Sequence, residues 1–191
     1  MFIINGGRVF AEIDINNKTQ CPNEPGYRLT LFASLIKADK LEFVIQKAVE
    51  LGVFRIVPVI TERSIAKESD AKTKRWHAIA EAAAMQSHRG IIPEVAETVR
   101  LREAVAVSNG LDRAAAAHEK IVPGTVSVAE WIGGKWRSSG IFIGPEGGFS
   151  DKEISFFTES GIKIITMGRR VLRAETAAIA AAALASLIRD T

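Results

Sequence analysis

Cysteine is nearly absent: Cys21 stands alone among 191 residues, so no disulfide can form within the chain. Histidine is scarce too. His77, His88 and His118 have no metal-ligand spacing and no cysteine cluster beside them, so no metal site is expected. No long apolar run occurs. The longest, residues 177–188, is alanine-rich and shorter than the ~20 residues a spanning helix needs. The opening MFIINGGRVFAEID lacks a basic segment followed by an apolar stretch, so no secretory signal is expected. Strong charge of one sign is missing as well. A net charge of +3 does not by itself argue for nucleic acid. There is no G-x-S-x-G nucleophile motif, no G-x-G-x-x-G fingerprint and no P-loop lysine. These absences leave a soluble, cytoplasmic protein with no membrane span as the expectation.

What is present is a chain 47% hydrophobic and 25% charged, an ordinary globular composition long enough for one main core. From Tyr27 onward, strand-length apolar runs alternate with helix-period segments. Residues 27–36 read as a strand. In residues 39–51, Leu41, Val44, Ile45, Ala48 and Val49 share one helical face, with Gly52 as the stop. Residues 54–60 read as a strand in which Pro58 suggests an edge position or an early end. Residues 72–88 form a second helix. A short strand DRAAAA, a helix over 125–132, a buried strand at 140–143, a helix over 151–160, a strand over 162–167 and a closing helix over 174–189 follow. This alternation predicts an α/β fold with a largely parallel sheet. Residues 2–15 differ: two short strands flank Asn5-Gly6-Gly7, a hairpin turn signal, and a polar linker with two prolines follows.

Three segments carry chemistry. In IGPEGGFSDKE, Ile143 ends a buried strand, and Gly144, Gly147 and Gly148 permit close backbone approach to a ligand. Ser150 and Glu153 have capping-box spacing for the next helix. A tight structural turn is the plainer reading of the same glycines. In MGRRVLRAETA, Gly168 follows a strand, Arg169, Arg170 and Arg173 cluster at its end, and Glu175 falls in the first helical turn, where a carboxylate suits the dipole. The third segment, EAAAMQSHRG, gathers Gln86, His88 and Arg89 at a helix end, where His88 also suits the negative end of the dipole.

Taken together, these segments resemble the RsmE family of SPOUT methyltransferases, which methylate N3 of a uridine in small-subunit (16S) ribosomal RNA. The match runs through residues 37–43, 46–53, 61–64, 81–89 with Pro93, 143–150 and 167–177, in order, over about four-fifths of the chain. The resemblance implies a SPOUT-type parallel sheet with a C-terminal trefoil knot over residues 36–191. A partial PUA-like β-barrel for RNA binding would occupy residues 1–35. It also implies a homodimer acting on 16S rRNA of the small ribosomal subunit. S-adenosylmethionine would be held by Ile143, Gly144, Glu146, Gly147, Gly148, Met167, Gly168, Val171, Leu172 and Arg173, with a third wall near His118. There the chain has Ala117-His118-Glu119 where the family often has a His-Pro pair, and Ala174 stands where threonine is common.

N3 of uracil carries a proton whose loss must be assisted. Arg89 and Arg173 are candidates to stabilise negative charge on the uracil oxygens. His88 or Glu175 is the candidate proton acceptor, with a helix-capping role for Glu175 as the alternative. RNA contacts are expected from Arg63, Lys67, Lys74, Arg75, Arg89, Arg169 and Arg170. Three other readings stand beside this one: a ribose 2'-O-methyltransferase of the same superfamily, a non-catalytic RNA-binding assembly factor, and a small-molecule α/β enzyme, which the arginine clustering disfavours.

Overall fold

In the computed structural model, which describes residues 2–5, 8–11, 21–64 and 70–189, the alternation read from the sequence becomes one long sheet between helices. The strands β1 (Phe2–Asn5) and β2 (Arg8–Ala11) pair antiparallel, with Asn5 opposite Arg8. Residues 12–15, expected to prolong them, lie outside the described residues. Next come β3 (Arg28–Ser34), α1 (Ala38–Glu50), β4 (Arg55–Ile60), α2 (Asp70–Gln86), β5 (Glu94–Val95), β6 (Val99–Arg100) and α3 (Leu101–Ser108). The second half holds β7 (Arg113–Ala117), β8 (Val126–Ser127), α4 (Val128–Ile132), β9 (Ser138–Ile143), α5 (Asp151–Glu159), β10 (Lys163–Thr166) and α6 (Ala174–Arg189).

The large sheet is parallel throughout, in the order β5-β4-β3-β9-β7-β10-β8, with β6 also on β4. Two sequence expectations change here. The boundary placed after residue 35 is wrong, because β3 lies in the middle of this sheet and belongs to the main domain. The helix expected over 125–132 begins only at Val128. Val126 and Ser127 instead pair with β10, and the Ser127 side chain accepts from the Glu130 amide to start α4. Pro58 does sit inside β4, at a local edge. Ile56 O accepts from Ala96 on the outer side and Val59 O accepts from Leu35 on the inner side. By alternation, the Pro58 nitrogen faces outward, between the short pairings with β5 and β6, where no ladder bond is lost.

Alternation along β3 builds two cores. Leu29, Leu31, Ala33 and Leu35 face a layer containing α1, α2, α4 and α6. Phe32 faces α3 and α5, and its ring stacks on Phe142 of β9 at 4.2 Å. The expected face of α1 is the buried one: Leu41, Val44, Ile45, Ala48 and Val49. In α6, Ala177, Ala178, Ala181, Ala182 and Ala185 are buried, so small side chains bring this helix close to the sheet and α1.

Helices α1 and α2 end in the same way with different residues. After α1, the Val53 amide bonds Ala48 O and the Gly52 amide bonds Val49 O, with Gly52 at φ +82°. After α2, the Arg89 amide bonds Ala84 O and the His88 amide bonds Met85 O, with His88 at φ +55°. Both are left-handed caps with the paired bonds of a Schellman motif. Glycine adopts that conformation without strain, and histidine does not.

Candidate functional site

Because β9, β7 and β10 are parallel neighbours, their carboxyl ends lie side by side, and the three loops that leave them converge. They enclose a cleft of about 190 Å³. One wall is Ala117, His118 and Glu119, after β7; the second is loop 143–148, after β9; the third is Met167, Gly168, Arg170, Val171 and Leu172, after β10. Ala174 and Ala177 of α6 complete the lining. Ile143, Gly144, Glu146, Gly147, Gly148, Met167, Gly168, Val171 and Leu172 are thus brought together. Arg173 lines an adjoining depression instead.

The glycines do different work in this loop. The Gly148 amide bonds Pro145 O at 2.8 Å, closing a turn that leaves Gly148 at φ +67°. A β-carbon on Gly148 would sit 3.1 Å from Glu119 Oε2, and one on Gly144 would sit 3.2 Å from the Phe149 nitrogen. At Gly144 and Gly148 the loop is therefore folded so closely onto itself and onto the β7 loop that a side chain would force its neighbours to shift. The capping box at α5 forms: Ser150 Oγ accepts from the Glu153 amide, and the Glu153 carboxylate accepts from the Ser150 amide. The network also reaches the loop after β4. The Glu62 amide donates to Glu153 Oε1 at 2.8 Å, and Ser150 Oγ donates to Glu62 Oε2 at 2.7 Å. Arg63 donates to Gly147 O at 2.7 Å, so this loop latches the glycine loop from outside. His118 is buried, with its amide on Ile165 O and Nδ1 3.2 Å from Glu119 Oε2.

Arg89 is not a site residue. Its side chain is 3% exposed, Nε and Nη2 pair with the Glu24 carboxylate, and Nη1 donates to Val49 O and Val53 O. These bonds tie linker residue Glu24 to the ends of α1 and α2. Both the catalytic and the RNA-contacting parts expected of Arg89 are corrected on that ground. Burial pushes the Glu24 carboxyl up, but Arg89 and the Ile91 and Gly90 amides outweigh it and hold it below its ordinary 4.5. His88 is exposed at the α2 cap and lines none of the cleft, and its carbonyl accepts from Asn23. Glu175 sits in the first turn of α6, 3.3 Å from Lys40.

Among the expected RNA contacts, Arg169 and Arg170 are exposed on the loop after β10, and Arg63 is exposed beside Gly147. Lys74 is exposed on α2, and Arg75 there pairs with Glu42 at 2.8 Å. Lys67 lies outside the described residues. The sequence reading did not mark Lys40, Ala174 or Ala177 for the site. Only their neighbourhood in folded space reveals them. Among the described residues, no group of three or more His, Cys, Asp or Glu is placed to hold a metal, and no helix is long and apolar enough to cross a membrane.

A family model described as an RNA methyltransferase domain matches residues 22–186. The chain belongs to the RNA methyltransferase family. Within it, the ribosomal RNA small subunit methyltransferase E of Mesomycoplasma hyopneumoniae is 32% identical over 169 residues, covering 87% of this chain and 72% of that one. Its namesake from Bacillus subtilis is 34% identical over 158 residues, 78% of this chain and 62% of that one. The solved structure of the Neisseria gonorrhoeae ribosomal RNA small subunit methyltransferase E, bound to S-adenosyl methionine, matches with a TM-score of 0.75 at 32% identity. That match covers 84% of this chain and 65% of the other. The parallel α/β sheet is thus a family property, and the convergent cleft lies within the matched segment.

Proposed function

We propose that this family member transfers a methyl group from S-adenosylmethionine to N3 of a uridine in 16S rRNA of the small ribosomal subunit. The observation that carries the reading is the convergence of three loops at the carboxyl ends of β7, β9 and β10 into one cleft. The residues present suit the cofactor. Ile143, Met167, Val171 and Leu172 give apolar walls, the crowded glycine backbone admits close approach, and the Glu119 and Glu146 carboxylates suit a cationic ligand. When bound, the cofactor supplies an activated methyl group.

The protein's part is alignment and charge. Holding two reactants in line contributes about 7–11 kcal/mol toward the barrier. Arg173, beside the cleft, is proposed to contribute positive charge near the uracil oxygens. Arg63, Arg169 and Arg170 are proposed to contact phosphates, and the β1–β2 hairpin to belong to a PUA-like RNA-binding module. The chain between β9 and α6 is proposed to form the trefoil knot. A homodimer through α6, which exposes Leu187 and Ile188, is proposed as the working form.

The test is incubation with labelled S-adenosylmethionine and undermodified small subunits, followed by nucleoside analysis. N3-methyluridine is the expected product. Label on a ribose 2'-oxygen, or no label at all, would overturn the reading.

A further inference from the structure

A depression of about 430 Å³ adjoins the cofactor cleft, and Glu146, Val171, Leu172 and Ala174 line both. Lys40 and Arg173 line the depression but not the cleft. Lys40 belongs to the first turn of α1, which follows the carboxyl end of β3. Its Nζ lies 3.3 Å from Glu175 Oε1, and the two side chains are 26% and 15% exposed. Glu175 Oε2 is buried and makes no hydrogen bond among the described residues. Glu175 is not part of the depression's lining. The carboxylate therefore stands behind the ammonium. It is placed to aim Lys40, and a buried oxygen is poorly placed to receive a proton from a base in the depression. An ammonium has three donors, so the ion pair leaves capacity for a ligand.

We propose that Lys40, aimed by Glu175, is a second cation beside Arg173 that stabilises the uracil N3 anion in this depression. The inference rests on the methylation reading above and deepens it. The N3–H bond breaks and its proton passes to water. The electron pair left on N3 spreads over the two flanking carbonyl oxygens, then forms the bond to the methyl carbon while the carbon–sulfur pair stays with sulfur. Fixed positive charge beside those oxygens favours the anion before the methyl group moves. Cytosine carries an amino group where uracil has one of the two oxygens. A cation there meets a donor rather than an acceptor, which favours uracil.

The charged groups about Lys40 come from every neighbouring element. They are Glu175 of α6, Glu146 of loop 143–148, Arg173 of the loop after β10, and Lys37 and Asp39 along its own chain. On the α2 side, Arg75 is held by Glu42 at 2.8 Å.

The experiment uses the full chain with Lys40→Met, Lys40→Arg and Glu175→Gln. Millimolar 5-fluorouridine 5'-monophosphate is the probe, because its fluorine resonance reports N3 ionisation without any cofactor. Wild type and Lys40→Arg should lower the N3 pKa of the bound probe. Lys40→Met should lose most of that lowering, Arg173 keeping the remainder, and Glu175→Gln should weaken it. With small subunits and cofactor, the acid limb of kcat should move up by about one pH unit in Lys40→Met, a tenfold slower rate below it. KM for the subunits should hold.

No fluorine response in wild type, or the same N3 pKa in wild type and Lys40→Met, would overturn the assignment even while wild type still makes N3-methyluridine. Absence of N3-methyluridine in wild type would instead overturn the proposed function. Should Lys40→Met not fold, Glu175→Gln decides. An unweakened N3 pKa shift in that variant overturns the proposal.

Discussion

Replacing Arg89 with methionine separates two roles that one residue type can play. The side chain is 3% exposed and its partner Glu24 is 11% exposed. The change removes both bonds to the Glu24 carboxylate and both bonds to the Val49 and Val53 carbonyls. It leaves Glu24 with only the Gly90 and Ile91 amides. Removing one partner of a buried pair costs about 3–5 kcal/mol. The lower end applies here, because those amides still hold the carboxylate. At a urea dependence of about 2 kcal/mol per molar, a 3 kcal/mol loss moves the midpoint down by about 1.5 M. The double variant with Glu24→Gln should cost less than the sum of the two single changes, since the pair acts as a unit. Urea melts followed by circular dichroism give the stabilities. Cofactor affinity and kcat, measured at a temperature where the variant stays folded, should match wild type. A midpoint within about 0.3 M of wild type together with a kcat reduced about 100-fold would refute the reasoning and return Arg89 to the chemistry.

His88→Gly should stabilise the chain by about 1 kcal/mol, raising the melting temperature by about 2–4 °C in a thermal scan, because it relieves a left-handed histidine. Gly148→Ala should weaken S-adenosylmethionine binding more than Gly147→Ala in calorimetry. Only Gly148 combines φ +67° with a β-carbon 3.1 Å from Glu119, and equal losses would contradict this. The Glu24 carboxyl is held below its ordinary 4.5 in the folded chain, so the stability it contributes is present above that value and fades as pH falls through the lowered one. Glu24→Gln should flatten that part of the acid stability profile, and an unchanged acid slope would argue against the clamp.

Local chemistry was legible in the sequence. The face of α1, the capping box of Ser150 and Glu153 and the two glycine-bearing loops need only residues a few positions apart, and all are where the spacing put them. Helix α3 was missed although Leu101, Ala104, Val105 and Ser108 carry a helical period and are its buried face. Strands β5 and β6, of two residues each, leave too little pattern to read. The pairings of Arg89 and Glu175 were not legible, because each partner lies far along the chain: Glu24 for one, Lys40 for the other. An arginine beside a histidine at a helix end reads as chemistry until its partner is known. The boundary error at residue 35 has the same origin, since nothing in residues 28–34 announces that their second neighbour is β9.

That pairing has a consequence for synthesis. Strand β3 gains β4 within one helix, but β9 leaves the ribosome about 110 residues later, a delay of about 5–20 s at ordinary elongation rates. Until then Leu31 and Phe32, both fully buried in the finished sheet, lie on a strand with one open edge. Phe32 waits through that interval for Phe142. Refolding from denaturant should be slow for the same reason, since the central pairing closes a long loop before it is rewarded. Slowing translation would lengthen the exposure of this strand without altering a single residue, so the yield of native protein should depend on elongation speed and on chaperones that shield β3 until its neighbour arrives.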